Sequence, residues 1–188
     1  HDISPQDVLQ GAFLLGTAWR HFPPGAIHVA VVDPTVGTDR KALLVQGQGH
    51  TFLAPDNGLL SFALPGEEVP DTPFQPYQSR MPSGFSAHAL TTPQYWRHPV
   101  SSTFHGRDIF APVAAHISLR TSPQEMGEET NSLSCLPVAV PTWEGDRLRA
   151  QVVHIDRFGN LVTNVPTRLL SGERPIEVRV QGHRIQGV

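Results

Sequence analysis

Ile27-His28-Val29-Ala30-Val31-Val32-Asp33-Pro34 is a short run, largely apolar and β-branched, that ends abruptly in an acid and a proline. It reads as a strand buried on both faces, which predicts a parallel sheet covered by helices. The same reading puts Asp33 at the carboxyl end of that strand, where open α/β sheets bind their ligands.

Upstream, Ser4-Pro5-Gln6-Asp7 predicts a helix start, with Ser4 as cap, Pro5 in the first turn and Asp7 as the capping-box acid. Val8, Leu9, Ala12, Phe13, Leu15, Ala18 and Trp19 then recur at helical spacing. The helix is expected to end near Arg20-His21, before Pro23-Pro24-Gly25. Downstream, Ala42 to Gln46 and Thr51 to Ala54 read as two short strands joined by Gly47-Gln48-Gly49-His50. Pro55-Asp56-Asn57-Gly58 is a turn, and Leu59 to Ala63 a short helix.

Residues 64–102 are rich in proline and serine and give no regular pattern, with Tyr77, Tyr95 and Trp96 as candidate anchors. His105-Gly106 opens a helix from Arg107 to Leu119 that carries Ile109, Phe110, Val113, Ala114 and Ile117 on one face. The alternation of strand, loop and helix predicts an N-terminal α/β layered domain with a mostly parallel sheet over residues 1–122, lacking its first strand. Residues 123–142, with Pro123, Pro137 and Pro141, read as a linker. Leu148 to Ile155, Leu161 to Asn164, Ile176 to Val180 and Arg184 to Val188 are short alternating segments. They predict the start of a C-terminal all-β, barrel-like domain over residues 143–188, truncated here. The chain starts without methionine and ends in a strand-like pattern, as expected of a piece of a longer protein.

Bulk properties narrow the function. Of the 188 residues, 39% are apolar, 16% are charged, and the formal net charge is -3. No Lys or Arg run is present, so neither the balance nor the pattern suits nucleic-acid binding. No apolar stretch approaches a membrane span. Cys135 is the only cysteine, which rules out an intrachain disulfide and a four-cysteine zinc site and fits a reducing cytoplasm. Phosphate-binding glycine loops, a His-Glu-x-x-His zinc motif and the Ser-x-Gly elbow of hydrolases are all missing, so no metal or cofactor is expected.

Three constellations could carry chemistry. In Val32-Asp33-Pro34-Thr35-Val36-Gly37-Thr38-Asp39-Arg40, the Pro34 turn and the Gly37 hinge can bring Arg40 back to Asp33. An Asp beside an Arg stays ionised; the same spacing also suits an ion pair that only stabilises the loop. In Thr103-Phe104-His105-Gly106-Arg107-Asp108, His105 precedes a helix whose free N–H groups suit an anion or a water lone pair, and Gly106 permits close approach of a ligand. The alternative is a helix-start residue with a solvated ring. In Ile155-Asp156-Arg157-Phe158-Gly159-Asn160, an aromatic face can stack on a purine, Asn160 can bond a purine edge and Asp156 can bind an ammonium group. An ordinary hairpin turn fits those residues as well.

Together and in this order, the three segments resemble the S-adenosyl-L-methionine (SAM) hydroxide adenosyltransferases, relatives of the fluorinase and chlorinase. His1-Asp2-Ile3, Phe22-Pro23-Pro24-Gly25 and Ala54-Pro55-Asp56-Asn57-Gly58-Leu59-Leu60 extend the resemblance across nearly the whole chain. The resemblance implies an α/β domain followed by a β-barrel, a homotrimer with active sites between subunits, and SAM as substrate, cleaved to adenosine and L-methionine without a cofactor. It implies Asp33, Arg40 and His105 as a water-activating triad, with His105 accepting or relaying the proton. Asp156 would meet the methionine amino group, Asn160 the adenine, and Phe158, Gly106 and Asn57 the same substrate site.

Halogenase relatives have Tyr in place of Asp33 and His105, and the fluorinase has Ser in place of Gly106, so this chain's residues favour water over halide. Thr35 stands where the family more often has Gly. An acid expected to hold the ribose and further methionine contacts belong to segments outside this chain. Two alternatives are a chlorinase-like halogenase, distinguished by its product at high chloride, and a SAM- or nucleoside-binding protein without turnover, distinguished by binding without methionine release.

Overall fold

The computed structural model of the protein describes residues 3–64, 76–170 and 176–185. His1-Asp2 of the first supporting motif and residues 186–188 of the last expected strand lie outside them. The chain divides into two compact units, residues 1–138 and 139–188.

The first unit is built on a five-stranded sheet. Its elements are α1 (Val8–Ala18), β1 (Ile27–Val29), β2 (Ala42–Gly47), β3 (His50–Pro55), β4 (Tyr77–Arg80), β5 (Phe85–Ala89), α2 (Ala111–Ser118), α3 (Pro123–Met126), β6 (Glu129–Thr130) and β7 (Ser132–Cys135). The sheet order is β1-β3-β2-β5-β6, and β4 pairs separately with β7. Among the described residues only β1 and β3 run parallel; β3–β2, β2–β5 and β5–β6 are antiparallel. The sheet is therefore mixed and not mostly parallel. Gln48 and Gly49, both at positive φ, close β2 and β3 into a tight hairpin, and a tight hairpin joins only antiparallel strands.

The strands buried on both faces are β2 and β3. Leu43, Val45, Phe52 and Ala54 point to one core with Ala12, Leu59 and Leu60. Leu44 and Leu53 point to the other with Ile109, Phe110, Val113 and Met126. This period-2 division of one apolar run between two cores gives the layered α/β arrangement. In contrast, β1 is an edge strand, shorter than its sequence run, and Val29 and Val31 are exposed. Among the described residues β1 has a strand neighbour on one side only, and part of its apolar run stays uncovered.

Helix α1 is capped by Asp7 and not by Ser4. Gln6 adopts φ +66° and ends a turn in which the Asp7 N–H reaches the Ser4 carbonyl, so the helix starts later and Asp7 Oδ1 accepts from the Gln10 N–H at 2.9 Å. A short 3-10 segment, Trp19–His21, ends it where expected. Leu59 to Ala63 form successive turns rather than a helix, with Leu59, Leu60, Ala63 and Leu64 buried.

The expected helix from Arg107 begins as a π-helical turn, Gly106–Phe110, before α2. Pro112 explains this. It has no N–H for the Asp108 carbonyl four residues back, and its ring crowds that carbonyl. The Asp108 carbonyl instead accepts the Arg97 N–H at 2.8 Å, and the Ala111 N–H reaches back to Gly106.

Residues 123–138 of the expected linker belong to the first unit. They form α3, β6 and β7 and bury Met126, Leu133 and Cys135, an apolar alternation hidden among polar and proline residues. The second unit contains β8 (Thr142–Glu144), β9 (Arg147–Arg149), β10 (Val152–Ile155), β11 (Leu161–Thr163), β12 (Val178–Val180) and β13 (His183–Ile185). They pair as three separate antiparallel hairpins, so among the described residues the barrel does not close. No described helix is long and apolar enough to cross a membrane.

Candidate functional site

Asp33 follows β1 and opens a compact loop. The Val36 N–H bonds the Asp33 carbonyl at 3.3 Å, and the Thr38 hydroxyl bonds the Thr35 carbonyl at 2.7 Å. Gly37, at φ +81°, sits where a side chain would collide with the Ser102 carbonyl, 2.6 Å from an added Cβ. The loop thereby returns Arg40 to Asp33. Arg40 Nε donates to Asp33 Oδ2 at 2.8 Å and its Nη2 pairs with the same oxygen. Arg40 Nη2 also donates to His105 Nδ1 at 2.8 Å. Asp33, Arg40 and His105 are thus one connected chain of hydrogen bonds, with the Asp33 and Arg40 side chains only 4% and 8% exposed. Thr35, absent from the sequence-derived site, adds a hydroxyl donor to Asp33 Oδ1 at 3.0 Å.

The protonation state of His105 follows from its neighbour. A guanidinium can only donate, so Nδ1 accepts and the neutral ring carries its proton on Nε2. Burial, and then the positive charge of Arg40, push the His105 pKa below 6.5; Asp33 and Asp108 oppose this shift. His105 therefore presents a hydrogen-bond donor from Nε2, and proton acceptance at Nδ1 would break its bond to Arg40.

Gly106 stands at the first position of the π turn. A Cβ there would meet Val31 at 3.6 Å, an ordinary contact, so no protein neighbour requires glycine. Asn57 is engaged structurally: Nδ2 donates to the Val32 carbonyl at 2.9 Å and Oδ1 accepts the Leu59 N–H at 3.2 Å, fixing the chain just before Asp33. Among the described residues, no group of three or more His, Cys, Asp or Glu side chains could hold a metal ion.

The remaining three predicted residues form a tight turn in the second unit. Asp156 Oδ1 accepts from the N–H groups of Phe158 at 2.8 Å and Asn160 at 2.9 Å, and Oδ2 accepts from Asn160 Nδ2 at 2.7 Å. These bonds, that of the Asn160 side chain foremost, hold the Asp156 pKa below 3.8. Gly159 at φ +87° completes the turn. Phe158 joins this network through its backbone N–H and is 84% exposed. An aromatic displayed on a rigid, hydrogen-bonded turn costs little entropy when it meets a flat ligand.

The chain thus combines a mixed α/β unit that carries a hydrogen-bonded Asp-Arg-His chain with a second unit built of β-hairpins. Residues 1–127 match the SAM hydroxide adenosyltransferase N-terminal domain and residues 150–188 match its C-terminal domain. The chain belongs to the SAM hydroxide adenosyltransferase family. It is 37% identical to the (R)-S-adenosyl-L-methionine hydrolase of Thermus thermophilus over 98% of this chain and 67% of that protein. It is 33% identical to the enzyme of the same name from Methanocaldococcus jannaschii over 88% of this chain and 52% of that one. The fluorinase of an Actinoplanes species is more distant, at 24% identity over 88% of this chain and 59% of that one. An uncharacterized conserved protein from Thermotoga maritima shares the fold, with a TM-score of 0.80, 31% identity, and coverage of 98% of this chain and 67% of that one. The chain therefore spans between about half and two thirds of the length of these hydrolases.

Proposed function

We propose that the protein hydrolyses S-adenosyl-L-methionine to adenosine and L-methionine. The observation that carries this reading is the hydrogen-bonded chain Asp33–Arg40–His105. A sulfonium is already an activated leaving group, so the chemistry needs neither a metal nor an acid. A water oxygen forms a bond to C5′ in line with the C5′–S bond; that bond breaks, sulfur keeps the electron pair as the methionine thioether, and one proton is released. What the protein must supply is position and stabilisation of developing hydroxide character.

Arg40 and the Nε2–H of His105 are donors suited to that oxygen, and Asp33 orients Arg40 and offsets its charge, which would otherwise repel the cationic substrate. Asp156 and Asn160 are proposed to meet the methionine amino group and the adenine, with Phe158 against the same ligand. Gly106 leaves room for the substrate, and Asn57 holds the chain at Val32, next to Asp33. The (R) configuration at sulfur, carried by the relatives' names, is the proposed substrate epimer. Assembly as a homotrimer with sites between subunits, and a cytoplasmic location, complete the proposal.

The test is product analysis. The purified protein is incubated with SAM, with and without chloride, and the products are separated by chromatography and mass. Adenosine and methionine in equal amounts, insensitive to chloride, are expected. 5′-Chloro-5′-deoxyadenosine would make it a halogenase, and bound, intact SAM would make it a binding protein.

A further inference from the structure

Asp108 lies three residues after His105, and its side chain is completely buried. An acid there is not needed to fill the core: Ile109, Phe110 and Val113 already do that. Burying a carboxylate is costly unless its acceptor capacity is used, and at Asp108 nearly all of it is directed at the neighbouring loop and two arginines. Oδ2 accepts the Ser101 N–H at 2.9 Å. Arg107 donates from Nε to Oδ1 at 2.7 Å and from Nη2 to Oδ2 at 3.0 Å, while Arg97 pairs with Oδ1 at 3.7 Å. The Asp108 backbone carbonyl, freed by Pro112, takes the Arg97 N–H. One residue thus fastens both ends of the segment from Arg97 to Ser101.

The next residue, Ser102, presents the carbonyl against which Gly37 packs without room for a Cβ. Gly37 belongs to the loop that carries Asp33 and Arg40. A continuous path of contacts therefore runs from Asp108 through Ser101 and Ser102 to Gly37, and separately through the π turn to His105.

We propose that Asp108 is a positioning residue for the site: by fastening the Arg97–Ser102 segment it fixes how closely the loop bearing Arg40 approaches His105. The inference rests on the hydrolase reading for its kinetic consequence, but not for its geometry. The charged groups acting on His105 are Arg40, which favours the neutral ring, and Asp33 and Asp108, which oppose it.

The test compares wild type with Asp108→Asn, which keeps the shape and one acceptor, and with Arg107→Gln, a substitution at a half-exposed side chain that removes two of the carboxylate's donors and leaves the core intact. Turnover of SAM and the imidazole titration of His105 by NMR are measured on all three. For Asp108→Asn the expected result is a kcat lowered roughly 10- to 100-fold, the scale of a misplacement near 1 Å, with KM within about twofold. The His105 titration should move to lower pH, because a negative charge has been removed. Arg107→Gln should lower kcat by a smaller factor with the protein still folded. Wild-type kcat in both variants, with the His105 titration unmoved in Asp108→Asn, would overturn the proposal. If Asp108→Asn does not fold, Arg107→Gln decides the matter by its kcat. If the wild type itself releases no adenosine, the hydrolase reading fails, and the NMR titration still tests the coupling of Asp108 to His105.

Discussion

Arg40 donates from Nη2 to Nδ1 of His105 at 2.8 Å, although the two residues are 65 positions apart in the chain. Because the same guanidinium is bound to Asp33, one side chain links the loop after β1 to the start of the helix that covers the sheet. The link fixes the tautomer of His105, with Nδ1 accepting from Arg40 and Nε2 carrying the ring proton.

Removing Arg40 therefore has two separable effects. In Arg40→Met, the buried Asp33 loses its countercharge, and breaking a buried pair from one side costs about 3–5 kcal/mol. Urea denaturation should show that loss. Arg40→Lys keeps the charge but cannot bridge Asp33 and His105 with a planar fork. It should be nearer wild type in stability, while turnover falls by roughly 10²-fold or more, the scale of a lost preorganised donor.

The state of His105 predicts the pH dependence. Burial and Arg40 favour the neutral ring, so its pKa in the folded protein lies below 6.5. Turnover should be flat near neutral pH and fall only below that folded value, because protonation would put a hydrogen on Nδ1, facing the Arg40 donor. The sign for stability is the same. As pH falls through 6.5, the unfolded chain binds the proton first, so stability decreases towards acid. A pH–rate profile whose acid limb lies above 6.5 would contradict this.

Gly106→Ala separates protein packing from ligand space. The added Cβ would make only an ordinary contact with Val31, and alanine favours a helical position over glycine. The melting temperature should be unchanged or higher. A raised KM for SAM, or lost turnover, would show that the glycine is kept for a ligand.

Phe158→Ala should leave stability within about 0.5 kcal/mol, as for a surface change away from any structural feature, since the ring is exposed on its turn. Its KM for SAM should rise several-fold. Asp156→Ala should do more, because it removes three hydrogen bonds that shape the turn. An unchanged KM in both variants would remove this turn from the substrate site.

The site was more legible in the sequence than the sheet that carries it. The Asp33–Arg40–His105 grouping is legible only through the resemblance of three ordered segments to one family, because the local spacing alone suits a loop ion pair and a solvated helix-start ring equally well. The parallel sheet was misread because an apolar run of β-branched residues looks the same at a sheet edge and at its centre, and burial of β1 depends on neighbours that local sequence does not specify. The cap of α1 moved from Ser4 to Asp7 because Gln6 takes a positive φ, which propensity does not foresee. Pro112, four residues after Asp108, did carry a readable signal: a proline there releases a carbonyl and widens the turn. The Thr35 hydroxyl bond to Asp33 left no pattern beyond an i, i+2 spacing common to many loops.

The most direct measurement is a turnover of SAM in oxygen-18 water, followed by mass analysis of both products, with His105→Ala alongside. In-line attack of water at C5′ predicts one labelled oxygen in adenosine and none in methionine, with turnover lost in the variant. Unlabelled adenosine, or undiminished turnover in His105→Ala, would contradict the claim that the Asp33–Arg40–His105 chain directs water to that carbon.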